Sequence, residues 1–435
     1  MLDISGKTLS QNGLPSGQSA ANLHAERSAH SEGNALGESE LFLNKTSSKA
    51  VNWLVKRLEK ASLSRIELVQ KNSVIKIGSS LRDVPIARVR INHPFSMLLA
   101  ANRGIIGLAE SYMKGDWDTP DLQALLDWGM FNEKQLDKQF SSNWLFRKLN
   151  RLSHLLNNNS RSGSRRNIAA HYDLGNDFYR LWLDDSMTYS SALFSNNDET
   201  LEQAQANKYR WVLNWLDVMP EHSVLEIGCG WGGFARSLQQ QGGQNYSGVT
   251  LSREQLQFAR DSLQQDAGFN FQLKDYRDIQ GQYDRIVSIE MLEAVGENHW
   301  PIYFRKVFDA LKPGGVAVIQ VITIDEERFS DYRAEADFIQ RYIFPGGMLP
   351  TDQVIHDQCH QAGLNIENTH SFGRDYARTL SIWAQSFRQH WPEIVTLGFD
   401  EHFKRMWLFY LAYCEAGFKQ DSIDVRLYRI SKPGI

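Results

Sequence analysis

Between Ser223 and Phe234 the chain reads Ser-Val-Leu-Glu-Ile-Gly-Cys-Gly-Trp-Gly-Gly-Phe, a short apolar run that stops in a loop carrying Gly228, Gly230, Gly232 and Gly233. Glycines there let a backbone turn tightly and bring N–H groups and a helix N-terminus against a ligand. A phosphate-cradling loop would continue with Gly-Lys-Ser/Thr, and this one has no lysine. The loop points to a nucleoside-like ligand with Glu226, Gly228 and Gly230 beside it; a tight strand-to-helix turn is the other reading. After the next apolar segment, Gly248-Val-Thr-Leu-Ser-Arg-Glu-Gln255 offers Thr250 and Gln255. Both can hydrogen-bond a ribose diol, where many nucleoside-binding sheets use a carboxylate. Ser252-x-x-Gln255 also spells a capping box, so Gln255 has two readings. Lys274-Asp-Tyr-Arg-Asp278 then places Asp275 and Tyr276 where an adenine amino group and ring face need partners. An ordinary loop carboxylate is the alternative for Asp275.

Residues so placed need a sheet whose strands end together. Strands are predicted at Val224–Ile227, Tyr246–Val249, Phe269–Leu273, Arg285–Ile289 and Val316–Val321, with helices near 234–240, 254–264 and 302–311. This alternation implies an α/β fold with a doubly wound, mostly parallel sheet, and ligands in such sheets lie at the C-terminal strand ends. Before it, helical spacing from Val51 to Leu63 and alternating segments at 65–69, 73–77 and 87–91 predict a smaller N-terminal α+β domain over 48–140. Residues 1–47, rich in Ser, Gly, Asn and Gln, read as a disordered tail. Residues 141–170 hold Arg147, Lys148, Arg151, Arg161, Arg165 and Arg166 and no acid, with Leu145, Leu149, Leu152 and Leu156 on one helical face. A basic amphipathic helix attracted to an anionic lipid surface and a helix packed on a neighbouring domain both fit that pattern. The sheet domain takes 171–435.

At 435 residues and net charge −4, with 42% hydrophobic and 23% charged residues, the composition is that of a globular protein with no bias toward nucleic acid. Cys229, Cys359 and Cys414 are too scattered for a disulfide framework or a zinc cluster, and Cys229 reads as a small filler inside the glycine loop. The start of the chain lacks a basic segment followed by an apolar run, and no stretch of about 18 apolar residues occurs. A cytoplasmic protein in peripheral contact with the inner face of the membrane is the expectation.

Longer motifs surround these pieces: His171-Tyr-Asp-Leu-Gly-Asn-Asp-Phe178, Met187-Thr-Tyr-Ser-Ser191, Ile289-Glu-Met-Leu-Glu-Ala-Val-Gly296, Tyr342-Ile-Phe-Pro-Gly-Gly-Met-Leu-Pro350, Tyr376-Ala-Arg-Thr-Leu380 and Arg405 to Gly417. With them the sequence resembles the cyclopropane fatty acid synthase family of S-adenosylmethionine-dependent methyltransferases, and Gly115-Asp-Trp117 resembles part of that family's N-terminal lipid-binding domain. The resemblance implies a Rossmann-like, class I methyltransferase sheet and methyl transfer from S-adenosylmethionine to the double bond of a phospholipid acyl chain. Proton loss then closes a cyclopropane ring, or leaves a methylene or methyl-branched chain if it runs differently. Members of that family often pair, so a homodimer is an expectation; the composition gives no expectation of nucleic acid, and the scattered cysteines none of a metal.

Carried over by motif, Tyr189 and Ser190 touch the cofactor, Gly228 and Gly230 line its methionine part, and Thr250 and Gln255 take the ribose. The resemblance further implies a bound bicarbonate as base, held by a glutamate matching Glu293 and a tyrosine matching Tyr376. Two positions depart: Ser191 stands where many members have cysteine, and Gln320 where they have histidine. Both can still donate hydrogen bonds to an oxyanion. A carbocation also needs aromatic faces, for which Tyr172, Tyr189, Tyr342, Phe344, Tyr376 and Trp383 are candidates. Glu293 has a second reading as a helix-start residue, and His171 reads equally as a cap.

Overall fold

The computed structural model describes residues 49–81, 84–101, 103–140, 174–263, 268–334 and 336–434. The tail over 1–47, the basic segment over 141–170, His171 and Tyr172 lie outside the described residues.

The small domain opens on the helix Lys49–Leu58, which buries Val51, Leu54, Val55 and Leu58 at the predicted spacing. Strands β1 (Ile66–Gln70), β2 (Ser73–Ile77), β3 (Ala87–Ile91) and the short β4 (Trp117–Asp118) form one sheet in the order β2-β1-β3-β4. The helical stretch after Pro94 breaks at Gly104 into Pro94–Ala101 and Gly104–Met113. Trp117 enters the short strand β4, and its side chain packs on Tyr112 at 4.8 Å. Leu122–Phe131 and Glu133–Phe140 complete the domain.

The larger sheet has seven strands in the order β10-β11-β9-β8-β5-β6-β7. Its parallel part is β5 (Ser223–Ile227), β6 (Asn245–Thr250), β7 (Phe269–Leu273), β8 (Tyr283–Ile289) and β9 (Leu311–Ile324). All five predicted strands are present. Two were not predicted: β10 (Asn365–Ser371) and β11 (Ile423–Ser431), which pair antiparallel with each other and, through β11, with β9. One face of the sheet is covered by Leu201–Leu216, Gly233–Gln240 and Arg253–Ser262 with the long pair Gly373–Gln389 and Glu401–Lys419, and the other by Trp300–Ala310 and Asp352–Ala362.

The chain leaves β5 toward β6 and β7 on one side and returns to β8 on the other. The crevice of a doubly wound sheet opens at such a reversal, here between the ends of β5 and β8. The two domains pack as one unit. Arg328 grips Glu133 through both guanidinium nitrogens, and Glu110 accepts from Tyr342 Oη at 2.7 Å and from Arg103. This accounts for Tyr342, which braces the small domain rather than facing the crevice.

Candidate active site

The glycine loop leaves β5 through Gly228, Gly230 and Gly232, with φ of +87°, +51° and +83°, a region closed to most side chains. The loop is tied down by Gly228 N and Cys229 N, which both donate to the Val249 carbonyl, and by Trp231 Nε1, which donates to Asn176 Oδ1 at 2.7 Å. A Cβ at Gly228 would lie 2.9 Å from Met291 Cγ, whereas one at Gly230 would meet nothing within 4 Å and would project into open space. The crevice is lined by Tyr189, Ser190, Glu226, Gly228, Gly230, Thr250, Gln255, Tyr276 and Glu290 among others.

Thr250 bears on both readings of Gln255. Half of the capping box forms, with Ser252 Oγ accepting from Gln255 N at 3.2 Å. The Ser252 N–H goes instead to Thr250 Oγ1 at 3.1 Å, which leaves the Gln255 side chain to accept from Thr250 at 3.0 Å and to line the crevice. Tyr276 also lines it, and its buried hydroxyl has no hydrogen-bond partner among the described residues. Asp275 requires a correction. Both of its oxygens are taken by Arg277, at 2.8 and 2.6 Å, and it caps the turn Tyr276–Asp278 without lining the crevice.

Glu226 is 3% exposed, accepts from Tyr246 Oη, and is pushed up to about 8 by burial. Tyr189 closes one side of the crevice. Its hydroxyl pairs with that of Tyr410 at 2.7 Å, and its ring packs on Trp182 at 5.5 Å and Trp383 at 5.3 Å.

The base centre differs from the expectation. Tyr376 Oη donates to Glu290 Oε2 at 2.6 Å, while Ser191 N and Gln320 Nε2 donate to Glu290 Oε1 at 2.8 and 2.7 Å. Three of the four residues expected at the base therefore surround a carboxylate that sequence reasoning passed over. Ser191 contributes its backbone N–H, since its hydroxyl donates to the Ala192 carbonyl. Glu290 sits one residue past β8 with φ of +49°, a strained conformation for a side chain of its size. Burial raises its pKa, and the hydrogen bond from Tyr376 foremost pulls it back. Glu293, the residue expected here, is not among those lining the crevice; its Oε1 accepts from Ile322 N at 2.6 Å. The sequence signal for Glu290 was faint: a charged residue directly after a predicted apolar strand.

Burial lifts Glu293 to about 8, and the nearby Glu290 charge adds to the lift. The folded protein then keeps a proton that the unfolded chain releases near 4.5, so this group contributes stability at low pH that is lost as pH rises toward 8. Glu293→Gln is expected to remove part of the fall in Tm between about pH 5 and 8, with Glu226 contributing the same sign. A Tm profile parallel to the parent's across that window would mean that Glu293 titrates like an exposed carboxylate.

The model of the mycolic acid cyclopropane synthetase family matches residues 159–428. The chain belongs to that family. Among relatives, it is 40% identical over 343 residues to the tuberculostearic acid methyltransferase UfaA1 of Mycobacterium tuberculosis, covering 76% of this chain and 80% of that one. It is 34% identical over 370 residues to the cyclopropane-fatty-acyl-phospholipid synthase of Escherichia coli K12, covering 84% and 91%. Among solved structures, the cyclopropane synthase MmaA2 from Mycobacterium tuberculosis superposes with a TM-score of 0.58 at 32% identity, over 62% of this chain and 98% of that one. The mycolic acid cyclopropane synthase CmaA1, complexed with SAH and CTAB, gives a TM-score of 0.58 at 29% identity over the same shares. The sheet of this cyclopropane synthetase family member is thus of the class I methyltransferase type, and the crevice coincides with the ligand position general to doubly wound sheets. Among the described residues no His, Cys, Asp and Glu cluster could hold a metal ion, and no helix is long and apolar enough to cross a membrane.

Proposed function

We propose that this enzyme transfers the methyl group of S-adenosylmethionine to the double bond of an unsaturated phospholipid acyl chain and closes a cyclopropane ring, with Glu290 as the base. The observation that carries the reading is the Glu290 carboxylate held by Tyr376, Ser191 N and Gln320 beside the crevice. The residues fit the cofactor: Thr250 and Gln255 for the ribose, the unpartnered Tyr276 hydroxyl and ring for the adenine side, and Glu226, Ser190 and the glycine cradle for the methionine part. When bound, S-adenosylmethionine supplies an electrophilic methyl on a sulfonium.

The alkene π pair would form the new carbon–carbon bond as the methyl–sulfur bond breaks, its electron pair staying on sulfur, which leaves a cation on the neighbouring acyl carbon. Tyr189, backed by Trp182, Trp383 and Tyr410, presents aromatic surface to this part of the site, and each well-placed ring stabilises a buried cation by roughly 0.5–2 kcal/mol. Glu290 then takes a proton from the transferred methyl, and the freed C–H pair closes the ring. Tyr376 stays protonated, because burial first and the Glu290 charge next raise it well above the usual tyrosine range. It therefore fixes the carboxylate as a donor throughout. In this reading bicarbonate has no place, since Glu290 occupies the donors that would hold it.

A second reading is favoured by the 40% identity to the tuberculostearic acid methyltransferase. A hydride shifts from the methylated carbon to the cationic one before Glu290 acts, and loss of the methyl proton leaves a methylene group. The base is the same; only the timing differs.

A peripheral membrane position is part of the proposal. Residues 48–114 hold twelve Lys and Arg against four Asp and Glu in a chain of net charge −4. One face of the small sheet presents Val74, Lys76, Arg90 and Arg88, the last paired with Glu67, and the helix Pro94–Ala101 exposes Phe95 at 68% and Leu99 at 53%. Exposed apolar side chains on a domain with an excess of cations suit the anionic inner face of a membrane.

Expression in cells with unsaturated phospholipids, followed by NMR of the extracted acyl chains, tests the function. Upfield ring protons are expected. Exocyclic methylene signals would select the second reading, and unaltered chains from an enzyme that binds cofactor would end both.

A further inference from the structure

Lys208 lies at the site but has no role in the scheme above. It sits on the apolar face of the helix Leu201–Leu216, with Leu201, Ala204 and Val212, and is 0% exposed. Its Nζ donates to Ser190 Oγ at 2.6 Å. One turn earlier on the same face Gln205, also buried, donates Nε2 to the Ser190 carbonyl at 2.9 Å. The helix thus holds Ser190 by backbone and side chain together.

Taking an ammonium out of water is costly unless it is well paired. Here its hydrogen-bond partner is a neutral hydroxyl; burial pushes the Lys208 pKa down to about 7, against which the charges of Glu290, Asp184 and Glu226 favour the ammonium. A hydroxyl oxygen that accepts from a cation cannot turn its own hydrogen toward that cation. The Ser190 O–H is therefore left to donate elsewhere, and Ser190 lines the crevice with Gly228 and Gly230.

We propose that Lys208 is a positioning residue: by donating to Ser190 Oγ it fixes that hydroxyl as a donor toward the carboxylate of the cofactor's methionine part. The inference rests on S-adenosylmethionine being the cofactor. A hydroxyl polarised in this way makes a stronger, charge-assisted bond to a carboxylate.

Calorimetric binding to the full chain tests it without turnover, using S-adenosylhomocysteine, which keeps the amino-acid carboxylate, and methylthioadenosine, which lacks it. Lys208→Met and Ser190→Ala should each weaken S-adenosylhomocysteine by about 10-fold or more, the worth of a hydrogen bond to a charged group. Methylthioadenosine affinity should stay within about twofold, and the double variant should bind no more weakly than Ser190→Ala. Equal losses for both ligands, additive losses in the double variant, or unchanged S-adenosylhomocysteine binding in either single variant would overturn the proposal. Should Lys208→Met not fold, Ser190→Ala and Lys208→Arg decide it, the latter keeping a cationic donor and retaining most of the affinity. A parent chain that binds neither ligand would remove the cofactor reading, and this inference with it.

Discussion

Replacing Glu290 by glutamine is expected to lower turnover by about 10²–10⁴, the range a general base supplies, while S-adenosylhomocysteine affinity changes by less than about threefold. Glutamine keeps the shape that Tyr376 Oη and the Ser191 N–H close around but cannot accept the methyl proton. Glu290→Ala makes the test sharper. It leaves the Tyr376, Ser191 and Gln320 donors converging on a vacated carboxylate position, where a small anion can lodge. Formate or bicarbonate should therefore restore part of the activity of Glu290→Ala and leave the parent enzyme unchanged. Turnover of Glu290→Gln within tenfold of the parent, or stimulation of the parent by added bicarbonate, would place the base elsewhere.

Gly228→Ala is expected to weaken cofactor binding by a different route. The residue has φ of +87°, where a Cβ alone costs roughly 1–2 kcal/mol. The added carbon would also press on Met291 at 2.9 Å from Cγ and 3.2 Å from Cβ. Met291 follows Glu290 directly, so relief of that clash moves the end of β8 and the carboxylate with it. Calorimetry should show S-adenosylhomocysteine affinity falling by more than about 30-fold, a loss of roughly 2 kcal/mol. Gly242→Ala is the control. Its φ is +86° with nothing within 4 Å of the new Cβ, and it lies beyond the far end of the helix Gly233–Gln240. It should lower Tm while sparing affinity; Gly228→Ala binding within threefold of the parent would end the cradle argument.

Much of the cofactor side was legible because it is local. The glycines follow their strand directly, and Thr250 and Gln255 bracket the start of one helix, so a single turn brings them together. Asp275 shows where local reading fails, since Arg277, two residues on, claims the same carboxylate. Strand β11 was missed although Val425, Leu427 and Ile430 are buried in it, because its partner β9 lies a hundred residues away.

The base centre was legible only in part. Tyr376 and Gln320 were named from motifs, but their common partner was not, because nothing in the stretch around Ile289 distinguishes Glu290 from Glu293. Pairing of Ile289 with Gln320 across β8 and β9 brings the amide beside residue 290, and the helix Gly373–Gln389 brings Tyr376 from the other side. Lys208 is a similar case, a lysine on the apolar face of a helix whose partner Ser190 comes from a separate segment.

By itself the sequence determined the doubly wound sheet, its glycine loop and the kind of ligand that loop takes, because apolar periodicity and backbone freedom act over a few residues. Which carboxylate three distant donors enclose was decided only by the tertiary structure, since hydrogen bonds of under 3 Å depend on strand register and helix placement that no short stretch of chain encodes.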